Sequence, residues 1–150
     1  MPKTSKATTA DAEVILRLYD LRRETEMRKA RNFMTFQFLP VTWDDVQKLA
    51  MARGTDENRY FRQACSYWDM ACALVARGAL NADLFFDTCG EAWFLFTKLK
   101  PYLPKMREML NPEFLLNTEK VVTASAQGRK RVARLEERIA KMTAMAAGQK

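Results

Sequence analysis

Histidine is missing from this 150-residue chain altogether. With it go the usual general base near neutral pH, the partner of a Ser or Cys nucleophile, and the commonest zinc and iron ligand. Glycine and proline are scarce, five of each, which argues against an all-β fold with its many turns. No long hydrophobic run is present. The longest, MACALVA at 70–76, has seven residues, against ~20 for a bilayer-spanning helix. The opening MPKTSKATTADAEVILRLYD is polar, and its VIL patch ends at Arg17, so no secretory leader is expected. Cysteines number three, an odd count that fits a reducing compartment. Cys65 and Cys72 are seven residues apart, ~10 Å along one helix and beyond the ~7 Å reach of a disulfide. These absences predict a soluble cytoplasmic protein with no membrane contact and with buried free thiols.

What is there is a core. Hydrophobic residues make up 48% of the chain and aromatics 11%, enough for one compact domain at this length. The spacing predicts a helix over 11–38 that ends before Pro40. Its core face (Val14, Ile15, Leu18, Leu21) thins where Thr25, Arg28 and Asn32 fall, and resumes at Phe33 and Phe36. That middle is a solvated span or a bend. A second helix starts at Thr42 with Asp45 as its capping acid and stops at Gly54. A third, from Thr55 or Asp56 to Arg77, has a clean apolar face and is expected to be the central core helix. A fourth is expected over 81–100, then a short MREML helix. One more starts at Asn111–Pro112 and runs to about Ala124, and a last one spans 129–146. No run alternates as a strand does. The expected fold is all-α: a single-domain bundle of six to seven helices with short loops over 11–146, with disordered tails at 1–10 and 147–150.

The phrases LRLYDLRRETEMRKARNF, SYWDMACALVARGAL, LFFDTCGE and EKVV resemble a group of small bacterial proteins of unknown function, over residues 12 to about 138. The resemblance implies a compact shared fold. It brings no activity, cofactor or catalytic residue.

Chemistry is sought first in LFFDTCGEAWFLF, residues 84–96. On one continuous helix Asp87 and Glu91 are neighbours on the polar side, while Cys89 points into the apolar arc. A carboxylate pair could share a proton or a cation, but the expected reading is a solvated face beside a buried thiol. Phe94 stands out because it falls in the polar arc, and Gly90, one turn before it, costs ~1 kcal/mol in a helix interior. Close approach by another helix of the chain, a second subunit or a ligand would account for both. The aromatic density reads as core, with a ligand cavity as the rarer alternative.

Charge is unevenly placed. Residues 1–38 carry +3, 39–128 carry −1 and 129–150 carry +5, within a net +7. Arg129, Lys130, Arg131, Arg134, Arg138 and Lys141 make the last helix a candidate polyanion or nucleic-acid contact. The same helix carries Val132, Leu135, Ile139, Met142 and Ala146 at 3,4 spacing, a short a/d stripe suited to a partner helix. The sequence therefore predicts a non-enzymatic protein that acts through protein contacts, self-associating or binding another helical protein through Gly90, Phe94, Val132, Leu135, Ile139 and Met142. No catalytic, metal or cofactor residue is expected. The alternative is polyanion binding through the basic helix; a carboxylate enzyme or an apolar-ligand binder ranks below both.

Overall fold

The computed structural model describes residues 5–149. Among them the chain is helical, without a strand, in nine α-helices: α1 Thr9–Arg23, α2 Thr25–Asn32, α3 Trp43–Met51, α4 Asp56–Ala76, α5 Ala82–Thr88, α6 Glu91–Leu99, α7 Leu103–Met109, α8 Leu116–Thr123 and α9 Ala126–Gly148. A π-helical turn, Phe33–Gln37, continues α2, and a 3₁₀ turn, Lys100–Tyr102, links α6 to α7. The count exceeds six to seven because two expected helices are each divided. Residues 1–4 and 150, parts of the expected tails, lie outside the described residues.

The first division falls at Glu24. Its backbone leaves the helix (φ −59°, ψ 144°) and its carboxylate accepts from the Glu26 and Met27 amides, so it caps α2. The bend changes the phase of the buried face. Ile15 and Leu18 are buried in α1 and Met27 and Ala30 in α2, whereas Leu21, expected in the core, is 46% exposed. The π-turn shifts the phase again, burying Phe33 and Met34 and leaving Phe36 65% exposed, which corrects the expectation that Phe36 resumes the core face. A π-turn adds a residue to one turn and so rotates everything after it.

The second division falls at Cys89. Thr88 turns its hydroxyl back onto the Leu84 carbonyl at 2.7 Å, a bond that loosens the helix end. Gly90 follows, the poorest helix former after proline, and becomes the N-cap of α6. It is therefore not a helix-interior glycine, as the unbroken helix implied.

Freed from α5, α6 takes the centre of the bundle. Every residue from Ala92 to Leu99 is buried, including Thr97 and Lys98 at 3% exposure. The arc expected to be wet is thus dry, and Phe94 is no anomaly, because a helix enclosed on all sides has no polar face. The expected central helix, α4, buries Phe61, Ala64, Cys65, Trp68, Ala71, Cys72 and Val75 of its predicted face, leaves Tyr60 half-buried, buries Asn58 from the predicted polar side, and shares the core with α6.

Asn111–Pro112 starts a turn rather than a helix. The Asn111 side chain accepts from the Glu113 amide at 3.0 Å, and Leu115 then takes a left-handed conformation (φ 53°), so α8 begins one residue later. Leu115 is 2% exposed, and burial of its side chain offsets the strain of that backbone.

At the α8–α9 junction Ser125 caps the Gly128 amide at 2.9 Å. A Cβ on Gly128 would stand 2.4 Å from the Val122 carbonyl oxygen, which is backbone and cannot rotate away. Gly128→Ala is therefore expected to cost about 1–2 kcal/mol by forcing α9 off α8. Chemical denaturation measures it; an unchanged midpoint would show that the junction yields freely.

Candidate functional site

Three elements meet over the N-terminal end of α6: the π-turn, α6 itself and the first half of α9. Between them opens a groove of about 490 Å³ lined by Thr35, Gly90, Glu91, Phe94, Arg131, Arg134, Leu135 and Arg138. Residues that the sequence offered for two different purposes converge here. Gly90, Phe94 and Leu135 come from the partner-contact set, Arg131, Arg134 and Arg138 from the polyanion set.

Behind the lining residues Thr35 and Phe94 lies Lys98, which does not itself line the groove. Its ammonium donates to the Met34 carbonyl, to the Phe38 carbonyl at 2.8 Å and, at 3.5 Å, to that of Thr35. These carbonyls end the π-turn and have no helical donors left. One lysine thus fixes the turn that carries Thr35. The ammonium also lies 4.8 Å from the centre of the Phe94 ring, a cation–π contact in a dry setting. No carboxylate among the described residues faces it, and burial pushes its pKa down to about 8.

Glu91 anchors the next wall. Arg31 grips its carboxylate with Nε at 3.0 Å from both oxygens and Nη2 at 2.7 Å, and the Trp68 indole donates at 3.3 Å. That hydrogen-bonded pairing raises the Arg31 pKa above its usual range. The solvated-face reading of Asp87 and Glu91 is thereby half corrected. Asp87 is exposed, but Glu91 is half-buried, spent on Arg31 and separated from Asp87 by the break at Cys89. Cys89 is fully buried, like Cys65 and Cys72, and burial raises all three thiols.

The α9 wall is cationic but unequal. Arg131 is spent internally. Its Nη1 donates to the Phe86 carbonyl at 2.7 Å, and its guanidinium lies 3.5 Å from the Phe86 ring centre and 5.0 Å from that of Trp93. Burial, with Arg134 beside it, lowers its pKa. A Cβ on Gly90 would meet Arg131 Nη1 at 3.8 Å, an ordinary contact, so the glycine is not what admits this side chain. Arg134 and Arg138 make no ion pair or hydrogen bond among the described residues.

The remaining basic residues do not join the groove. Arg129 donates to the Thr123 carbonyl at 2.8 Å, and Lys130 and Lys141 are exposed away from it. Val132 is 5% exposed against its own bundle, which removes it from any partner stripe. Ile139 and Met142 lie further along α9, half-buried. The signal for Arg134 and Arg138 was in the sequence. The signal for Lys98 was not, because its place on a wheel looks solvated.

A larger cleft of about 830 Å³ lies between α3, α4 and the turn before α8. Phe61 and Phe114 stack at 5.9 Å within it, with Met51, Met70 and Leu110 exposed around them. Its charged residues, Arg53, Arg62, Asp69 and Glu113, balance in sign, and Asp69 is held by Asn117 and Thr118. Of the dense aromatics Tyr60, Phe61, Tyr67, Trp68, Phe85, Phe86, Trp93 and Phe96, only Phe61 lines it. Trp68, Phe85, Trp93 and Phe96 fill the core at 2% exposure or less.

Fold and groove together define a class: an all-α bundle with no helix long and apolar enough to cross a membrane among its described residues, carrying a cationic groove beside its central helix. Residues 7–125 match the family described as a domain of unknown function, DUF4760, and the chain belongs to that family. The matched region stops at Ser125, the N-cap of α9, so α9 and its arginines lie beyond it. No curated protein and no solved structure matches the chain.

Proposed function

We propose that this protein acts by contact with other proteins rather than by catalysis, and that its partner is a second copy of itself. The observation that carries this reading is the far half of α9. The helix has 23 residues, ~35 Å of length. From Glu137 onward none of its described residues is buried, and Met145 is 69% exposed. Ile139, Met142 and Ala146 continue the apolar stripe, each only half-buried by its own chain. The absence of histidine and the raised pKa values of three buried thiols support the non-catalytic part.

The occupant we assign to the 830 Å³ cleft is the far half of α9 from the second copy. Methionine-rimmed concave surfaces suit an amphipathic helix, because thioether chains adapt to the side chains they receive. The mixed-sign rim, Arg53 and Arg62 with Glu113, offers opposite charges to Glu137 and Lys141 of an incoming helix. Burying the rest of the half-buried Ile139 and Met142 together with the exposed Met145 contributes ~4 kcal/mol, while association itself costs ~4–15 kcal/mol. A single docked helix is marginal on those figures. Two, exchanged reciprocally about a two-fold axis, form a closed dimer.

Light scattering after gel filtration tests this at tens of micromolar. The wild-type chain is expected to be a dimer. Ile139→Glu with Met142→Glu, and separately Met70→Glu in the cleft, are expected to give monomers. Mixing the two variants is expected to restore a weaker dimer, since each supplies what the other lacks. A monomeric wild type sinks the reading, and so does a Met70→Glu variant that still dimerises.

A further inference from the structure

We infer that the groove between α6 and α9 is a binding site for a small organic phosphate, of about mononucleotide size, whose phosphate is held by Arg134 and Arg138 and whose body rests on Phe94 and Leu135. Ile139, Met142 and Met70 are not among its lining residues, but Arg138 falls within the stretch of α9 assigned to the partner cleft, so Arg134, which lies outside that stretch, tells the two readings apart.

Two guanidinium groups without partners face one concavity. Arg134 and Arg138 stand at i and i+4 on α9, which sets their side chains ~6 Å apart on one helix face. That spacing lets both forks reach the same phosphate. A planar fork pairs with phosphate oxygens through two parallel hydrogen bonds, an arrangement lysine cannot make. The neighbouring charges strengthen the case. Glu91 would repel an anion, but Arg31 neutralises it with a bidentate grip, so the lining carries a net positive charge from three arginines. Thr35 lines the same space from the π-turn, and π-turns recur at functional sites.

The rest of the lining is apolar. Phe94 is 9% exposed and stands apart from the main hydrophobic cluster, with Lys98 at its ring, while Leu135 is half-buried beside it. A bare inorganic anion would leave this part unused. The volume of about 490 Å³ lies within the ~300–1,000 Å³ that small-molecule sites occupy.

A long nucleic acid fits less well. Its backbone needs basic residues spread along an open face. Here Arg129 and Arg131 are tied to the carbonyls of Thr123 and Phe86, and Lys130 and Lys141 lie outside the groove. What remains is a two-arginine clamp in a concavity the size of one small molecule.

Calorimetric titration of the full chain with ADP, pyrophosphate, adenosine and a single-stranded oligonucleotide tests the inference. ADP is expected to bind saturably, one per chain, pyrophosphate more weakly, and adenosine not detectably. Arg134→Ala and Arg138→Ala are each expected to weaken ADP about tenfold, the loss of one charge-assisted pair, and Arg138→Lys to recover only part of it. Both arginines are exposed and unpaired, so an unchanged thermal midpoint shows the variants to be folded. Absence of saturable binding by ADP and pyrophosphate alike overturns the inference. It is equally overturned by ADP binding that survives both substitutions, by pyrophosphate binding as tightly as ADP, or by an oligonucleotide that binds far more tightly than ADP.

Discussion

Replacing Lys98 by Ala is expected to lower the unfolding free energy by about 3–4 kcal/mol, and replacing it by Met by about half as much. The residue is 3% exposed and holds the carbonyls of Met34, Thr35 and Phe38. Alanine removes a stem of four methylenes from a packed helix and leaves those carbonyls without a donor. Methionine keeps most of the stem, so it isolates the lost donor. Two effects then oppose each other: each orphaned carbonyl costs about 1–3 kcal/mol, and relief from burying an ammonium offsets part of that. Urea titration separates the two variants. A Met variant as stable as the wild type would show that the ammonium contributes nothing.

The same lysine sets a pH dependence. Its folded pKa is about 8, whereas an unfolded lysine titrates near ~10.4. Between those values the unfolded chain binds more protons, so on this group's account stability rises with pH. Below the folded value both states are protonated and the cost of burying the charge is fully felt. The stability of the wild type relative to Lys98→Met is therefore expected to increase from pH ~7 to pH ~10. A flat difference across that window would contradict it.

The second large effect belongs to Glu91. Glu91→Ala is expected to cost about 2–3 kcal/mol, and Glu91→Gln about 1 kcal/mol. Alanine strands two groups at once: the half-buried Arg31 guanidinium and the indole N–H of Trp68, a residue with 0% exposure. Glutamine keeps an acceptor for the indole and loses only the charge. These figures lie below those of a wholly buried pair, because the Glu91 and Arg31 side chains retain 22% and 30% exposure and water screens them in part. Denaturant midpoints for the two variants check the order. Equal losses for Ala and Gln would place the whole effect in the charge and none in the indole bond.

Much of the fold was legible residue by residue. Thr42 with Asp45, Thr55 and Asn81 cap helices as their types predict, since a cap depends on three or four neighbouring residues and on nothing distant. The apolar face of α4 was legible for the same reason: 3.6-residue spacing survives in a helix that does not break. The break at Glu24 falls in the span that the sequence left as solvated or bent, but its position was not legible, and the break at Cys89 was not legible at all. Neither position carries proline, and a glutamate or cysteine is acceptable inside a helix. What divides the chain there is which phase of the following segment fits the core.

By itself, then, the sequence determined the helical class, the caps, the face of α4, the burial of three thiols and the charge of α9, all properties of local spacing and composition. Only the tertiary structure decided that α6 is enclosed on every side, that Lys98 is dry, that Glu91 is spent on Arg31, and that Arg134 and Arg138 share a groove with Phe94. Each of those facts depends on residues tens of positions apart arriving in one place, and helical periodicity carries no information about which helix will be the neighbour.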